Sequence, residues 1–138
     1  MLFVHNWRME EKDMSRLALS GQKYLVVEDE YLAASDLLIA LEDEGARVYG
    51  PVSDVARAVE VLSDPSFQLD AAILDINLGG EMVFPAAELL IKQKTPFVFV
   101  SGFDRIALPE TFRDVPWLSK PYESSALITL LQSVRSSC

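Results

Sequence analysis

Four short apolar runs, each closed abruptly by polar residues, constrain the fold of this chain more than any other feature. Tyr24-Leu25-Val26-Val27 stops at Glu28-Asp29-Glu30, and Ala71-Ala72-Ile73-Leu74 stops at Asp75. Phe97-Val98-Phe99-Val100 stops at Ser101-Gly102, and the shorter Trp117-Leu118 at Ser119-Lys120-Pro121. Unbroken runs of this kind suit strands covered on both faces, because a half-exposed strand alternates apolar with polar residues. Residues 47–52 read as a fifth strand, weaker and nearer an edge, closed by Pro51.

Between the strands the period changes to that of a helix. Ala33, Leu37, Ala40 and Leu41 recur at three- and four-residue steps, with Gly45 placed as a C-cap. Val55, Val59 and Leu62 form a second stripe behind a Ser53 or Asp54 cap. Pro85 suits the first turn of a helix running to about Lys94. Glu123 opens a last helix, with Leu127, Leu130, Leu131 and Val134 facing inward. Strands alternating with helices predict an α/β fold: a five-stranded parallel sheet, doubly wound, with right-handed crossovers. The stretch from Ser101 to Trp117 holds Pro109 and Pro116, which predicts a short or irregular fourth helix.

The chain has 138 residues, enough for one domain that buries roughly two-thirds of its unfolded surface without a disulfide or structural metal. Residues 22–138 are expected to form that domain. Residues 1–21 read as a leader: a short helix from about Glu10 to Leu19, a disordered tail, or the product of a start upstream of Met9 or Met14. His5 is expected to be a tail residue. Twelve Lys and Arg against twenty-one Asp and Glu give a net charge of −9, which argues against a nucleic-acid partner. Cys138 is the only cysteine, so an internal disulfide and a Cys-based zinc site are both excluded. No apolar stretch approaches the roughly eighteen residues of a membrane span, and no signal-peptide core forms at the start, so a cytoplasmic location is expected.

In a doubly wound sheet, ligands sit beyond the carboxyl ends of the strands, at the switch point in strand order. Those ends carry Glu28-Asp29, Asp75, Ser101 and Lys120. Three carboxylates in one cleft repel one another, and a hard divalent cation relieves the repulsion. Magnesium takes one or two carboxylates, keeps several waters and leaves room for phosphate oxygens. A carboxylate beside such a cation can attack a phosphoryl group, and a lysine and a hydroxyl can stabilise the charge that develops. The set suits reversible phosphorylation of an aspartate.

Taken in order, Tyr24-Leu25-Val26-Val27-Glu28-Asp29-Glu30, Leu74-Asp75-Ile76-Asn77, Val100-Ser101-Gly102 and Ser119-Lys120-Pro121-Tyr122 resemble a response-regulator receiver domain of two-component signalling, over about residues 22–137. The resemblance implies a flavodoxin-like receiver fold with Asp75 as phosphoacceptor. Glu28, Asp29 and Asp75 would hold Mg2+, with the backbone carbonyl of Asn77 as a further ligand. Lys120 would pair with the phosphoryl group, Ser101 would hydrogen-bond to it, and Ser101 with Trp117 would form the switch. The implied phosphodonor is a sensor histidine kinase or a phosphotransfer protein. A finer similarity joins Pro96-Phe97-Val98-Phe99-Val100-Ser101-Gly102-Phe103, with Asn77-Leu78-Gly79-Gly80-Glu81, to the stand-alone alphaproteobacterial PFxFATGY subgroup, whose partners include HWE-type kinases.

The chain departs from that pattern in two ways: serine replaces the commoner threonine at 101, and tryptophan at 117 is larger than the usual Tyr or Phe. The expected role is a phosphorylation-controlled module, not an enzyme, that signals by protein contact or drains phosphoryl groups from a shared kinase. Two other classes stand beside it. One is a phosphorylation-independent scaffold of the same fold. The other is a small aspartate-dependent phosphohydrolase, disfavoured because Asn77 stands where a general acid is needed. A P-loop nucleotidase and a dinucleotide site are excluded, since neither glycine-rich motif is present.

Overall fold

The computed structural model describes residues 17–102 and 108–136. Most of the leader (including His5), Phe103 of the eight-residue signature, and Cys138 therefore lie outside the described residues. In chain order the elements are β1 (Lys23–Val27), α1 (Tyr31–Asp43), β2 (Arg47–Val52), α2 (Val55–Leu62) and β3 (Ala71–Asp75). There follow β4 (Asn77–Leu78), β5 (Glu81–Met82), α3 (Phe84–Lys92), β6 (Phe97–Ser101), a 3₁₀ turn (Glu110–Phe112), β7 (Trp117–Ser119) and α4 (Ser124–Ser136). Five strands form one parallel sheet in the order β2-β1-β3-β6-β7, and β4 and β5 form a separate antiparallel pair. The chain steps outward from β1 to β2, then crosses to β3 on the other side of β1, which places the switch point between β1 and β3.

Alternation along each strand divides the core in two. Tyr24, Val26, Ala71, Ile73, Val98 and Val100 face α1 and α4, packing with Leu37, Leu41, Leu127 and Leu131. Leu25, Val27, Ala72, Leu74, Phe97 and Phe99 face α2 and α3, packing with Ala58, Leu62, Ala86 and Leu90. β3 and β6 are buried at every position, as continuous apolar runs in the middle of a covered sheet should be. β2 is an edge strand, exposed at four of its six positions. It runs through Pro51 instead of ending there, because an edge strand with a local shift in register can spare an N–H.

The helices form where expected, with changes of phase. Asp54, not Ser53, caps α2, accepting the Arg57 N–H at 2.7 Å. From that start the buried face is Val55, Ala58, Val61 and Leu62, and Val59 is only partly buried. In α1 the buried alanine is Ala34, not Ala33 or Ala40. α4 begins at Ser124, with Glu123 lending its carbonyl to the Ala126 and Leu127 N–H groups, and it buries Ile128 more fully than Leu130. Pro85 lies in the first turn of α3, which stops at Lys92.

Two loop segments carry weight. Between β6 and β7 the described residues contain no α-helix, only the 3₁₀ turn after Pro109. Its Phe112 is almost fully buried, stacked on Phe84 at 5.1 Å and edge-on to Phe99 at 5.9 Å. Ahead of β1, residues 18–21 form a turn, not the end of a helix. The Leu19 N–H bonds to the Glu44 carbonyl at 2.9 Å and the Gly21 N–H to the Gly45 carbonyl at 3.2 Å, while the Leu19 side chain is fully buried.

Candidate functional site

The parallel registers assemble the site. Val27 pairs with Leu74, so Glu28, one step on, arrives beside Asp75. Asp75 pairs with Val100, and Ser101 with Ser119, so Ser101 and Lys120 follow at the same rim. Four strand ends thus deliver an acid pair, an acid, a hydroxyl and an ammonium from positions far apart in sequence.

Within this rim one oxygen each of Glu28, Asp29 and Asp75 lies within 4.8 Å of the others. Glu28 and Asp75 are buried and Asp29 is exposed. The Lys120 ammonium hydrogen-bonds to Glu28 Oε1 and, at 3.2 Å, to Asp75 Oδ2. Asp75 Oδ1 accepts the Asn77 N–H at 3.3 Å, and Glu28 Oε2 accepts the Glu30 N–H at 3.2 Å. Ser101 is buried, and its carbonyl accepts the Lys120 N–H at 2.7 Å.

The charges are strongly interdependent. Burial pushes the Asp75 carboxyl up, adjacent Glu28 pushes it further, and Lys120 offsets only part, leaving it at about 6 against an ordinary 3.8. Burial acts the same way on Glu28, but hydrogen bonds with Asp75 and Lys120 outweigh it and hold Glu28 below its usual value. Burial lowers Lys120, yet the two carboxylates prevail and the ammonium is held more firmly than usual. At neutral pH the cluster therefore presents two buried carboxylates with one lysine as their direct counter-ion.

That donor set fits a hard cation. Carboxylate oxygens, with carbonyls and water, are the ligands magnesium and calcium take, and the excess of negative charge supplies the driving force. Glu28, Asp29 and Asp75 could hold such an ion, and Asp75, with one oxygen bonded to Lys120, can act as a nucleophile toward phosphorus.

Trp117 does not join this group. Its ring is partly buried on the α2/α3 side of the sheet, edge-on to Phe99 at 6.3 Å. Two neighbours of the site had no assigned role in the sequence. Tyr122, two residues after Lys120, feels burial first and then the charges of Lys120, Glu28, Asp36 and Asp75, and its hydroxyl is pushed up to about 12. Gly79, in the turn between β4 and β5, lies against Asp29. The adjacent glycines were the available signal for that turn, but nothing local says which strand end it meets.

Comparison with known proteins gives a consistent picture. No family model matches the chain, and no curated protein does. Among solved structures, SdrG from Sphingomonas melonis Fr1 is 38% identical, covering 85% of this chain and 98% of that one, with a TM-score of 0.70. The response regulator receiver protein from Sinorhizobium medicae WSM419 is 25% identical over 83% of this chain and 96% of its own, with a TM-score of 0.66. The receiver domain of sensor histidine kinase PA1611 from Pseudomonas aeruginosa PAO1 shares the fold, at 21% identity, 85% and 99% coverage and a TM-score of 0.68. That structure has a magnesium ion coordinated in its active-site cleft.

Proposed function

The chain belongs to the receiver-domain family of two-component signalling, and we propose that it accepts a phosphoryl group on Asp75 from the phosphohistidine of a sensor histidine kinase. The observation that carries this reading is the meeting of Asp75 with Glu28, Asp29 and Lys120 at the carboxyl ends of the strands.

In the transfer an Asp75 carboxylate oxygen attacks phosphorus and a new O–P bond forms. The N–P bond of the donor breaks, and its electron pair returns to the imidazole nitrogen. The product is a mixed anhydride between Asp75 and phosphate. Glu28, Asp29 and Asp75 would hold a magnesium ion, with the Asn77 carbonyl as a further ligand, and the ion would supply positive charge for the phosphoryl oxygens. Lys120 spans both buried acids, which puts its ammonium beside the carboxylate that would carry the phosphoryl group. The Ser101 hydroxyl, on the neighbouring strand end, is the group we assign to the phosphorylated state, with Trp117 as its companion in the switch.

A net charge of −9 disfavours nucleic acid as the target, so the output is contact with a downstream protein or withdrawal of phosphoryl groups from a shared kinase. The run Pro96 to Phe103 and the likeness to a sphingomonad protein support placement in the PFxFATGY subgroup, with an HWE-type kinase as donor. Incubation with phosphoramidate and magnesium tests the assignment. Wild type should gain one phosphoryl group, labile in acid and sensitive to hydroxylamine, and Asp75→Asn should gain none. Equal labelling of the folded variant would refute it.

A further inference from the structure

Immediately after Asp75 the chain makes a tight hairpin whose position relative to the acids is informative. Asn77 pairs with Met82 and Leu78 with Glu81, leaving Gly79-Gly80 as a two-residue turn. Both glycines have positive φ, +61° and +98°, as the favoured two-residue hairpin turns require. Asn77 Oδ1 accepts the Gly80 N–H at 2.7 Å and closes the turn, and the Val83 N–H bonds to the Ile76 carbonyl at 2.8 Å beneath it. Leu78 and Val83 are buried, so the hairpin is pinned to the core at both ends of its stem.

The two glycines do not face the same surroundings. A Cβ at Gly80 would meet nothing within 4 Å, whereas a Cβ at Gly79 would stand 3.6 Å from Asp29 Oδ2. Asp29 is the exposed member of the acid triad, the one that meets solvent. The stem of the same hairpin touches the site a second time, where the Asn77 N–H meets Asp75 Oδ1.

We propose that Gly79 determines access to the site: its bare backbone forms the outer wall at Asp29 and leaves that carboxylate open to a hydrated divalent cation. This rests on the functional reading above and adds a residue to it. The turn chemistry alone asks for glycine, or a residue tolerant of positive φ, at both positions. The contact with Asp29 adds a second requirement at position 79 only. A methyl there lies in ordinary contact with the carboxylate oxygen, so the fold can accept it. It also occupies space that the waters of a magnesium ion need, since magnesium dehydrates reluctantly and keeps several of them.

The two glycines provide their own control. Gly79→Ala and Gly80→Ala both place a side chain at positive φ in one turn, so both should show a comparable modest drop in Tm. Magnesium affinity, measured directly by calorimetric titration of the whole chain, should separate them. Gly79→Ala should bind about tenfold more weakly than wild type, and Gly80→Ala within about twofold, with phosphoramidate labelling at limiting magnesium following the same order. Equal affinities for the two variants overturn the role of Gly79 while leaving the phosphoacceptor reading intact. Failure of wild type to bind magnesium, or binding unchanged in Asp75→Asn, removes both. If an alanine variant unfolds, Gly79→Asn and Gly80→Asn repeat the comparison with a residue that tolerates positive φ.

Discussion

Replacing the proposed phosphoacceptor should make the metal-free protein more stable, and the size of the gain follows from the geometry. Asp75 titrates at about 6 in the folded protein against an ordinary 3.8, because it is buried beside Glu28. About two pH units correspond to roughly 3 kcal/mol by which ionised Asp75 strains the folded state, at 1.36 kcal/mol per unit. That figure already includes the Lys120 contact at 3.2 Å, which offsets part of the burial cost. Asp75→Asn removes the charge, and Glu28 keeps Lys120 in the variant. The expected gain is about 2–3 kcal/mol at pH 7.5, or roughly 5–15 °C in Tm for a domain of this size.

The pH dependence carries the sign. Well below pH 4 Asp75 is protonated in both folded and unfolded wild type, and wild type and variant should be nearly equal. As pH rises from about 4 to about 6 the unfolded chain ionises Asp75 while the folded protein still holds its proton, so wild type falls behind, and above about 6 the gap is full. Urea denaturation of both proteins in EDTA, from pH 4 to 8, measures the gap. Magnesium should narrow it, because the cation binds folded wild type preferentially. A variant less stable than wild type at pH 7.5, or a gap that does not change with pH, would show that Asp75 is not held against its charge and would refute the reasoning.

Two further outcomes are expected. Lys120→Met removes the counter-ion shared by Glu28 and Asp75, so labelling by phosphoramidate should fall about 100-fold, while magnesium affinity, read by calorimetry, is retained or strengthened. Phe112→Ala empties a site stacked on Phe84 and Phe99 and should cost about 3–5 kcal/mol in chemical denaturation, with magnesium affinity unaffected.

Much of the architecture was legible because strand burial leaves a direct trace in composition. Runs such as Ala71 to Leu74 and Phe97 to Val100 could only be strands covered on both faces, and they are the two fully buried central strands. Helix phase was less legible. Valine is the more apolar residue, yet Ala58 and not Val59 turns inward, a choice set by the Asp54 cap and the helix packed alongside. The turn at residues 18–21 was not legible in the sequence, since its partners, the Glu44 and Gly45 carbonyls, lie more than twenty residues away.

The sequence by itself determined the class of fold, the prolines that interrupt the segment before Trp117, and the identity of the residues at each strand end. Those are consequences of local pattern: apolar period, caps, breakers and charge. Only the tertiary structure decided how those ends meet. Parallel registers set Glu28, Asp75, Ser101 and Lys120 along one rim, where burial raises Asp75 while hydrogen bonds with Asp75 and Lys120 outweigh burial and hold Glu28 down. Gly79 gains its place against Asp29 in the same way. Charge coupling and close approach fall off within a few ångströms, so they depend on which strands become neighbours, a property that no local stretch of the chain contains.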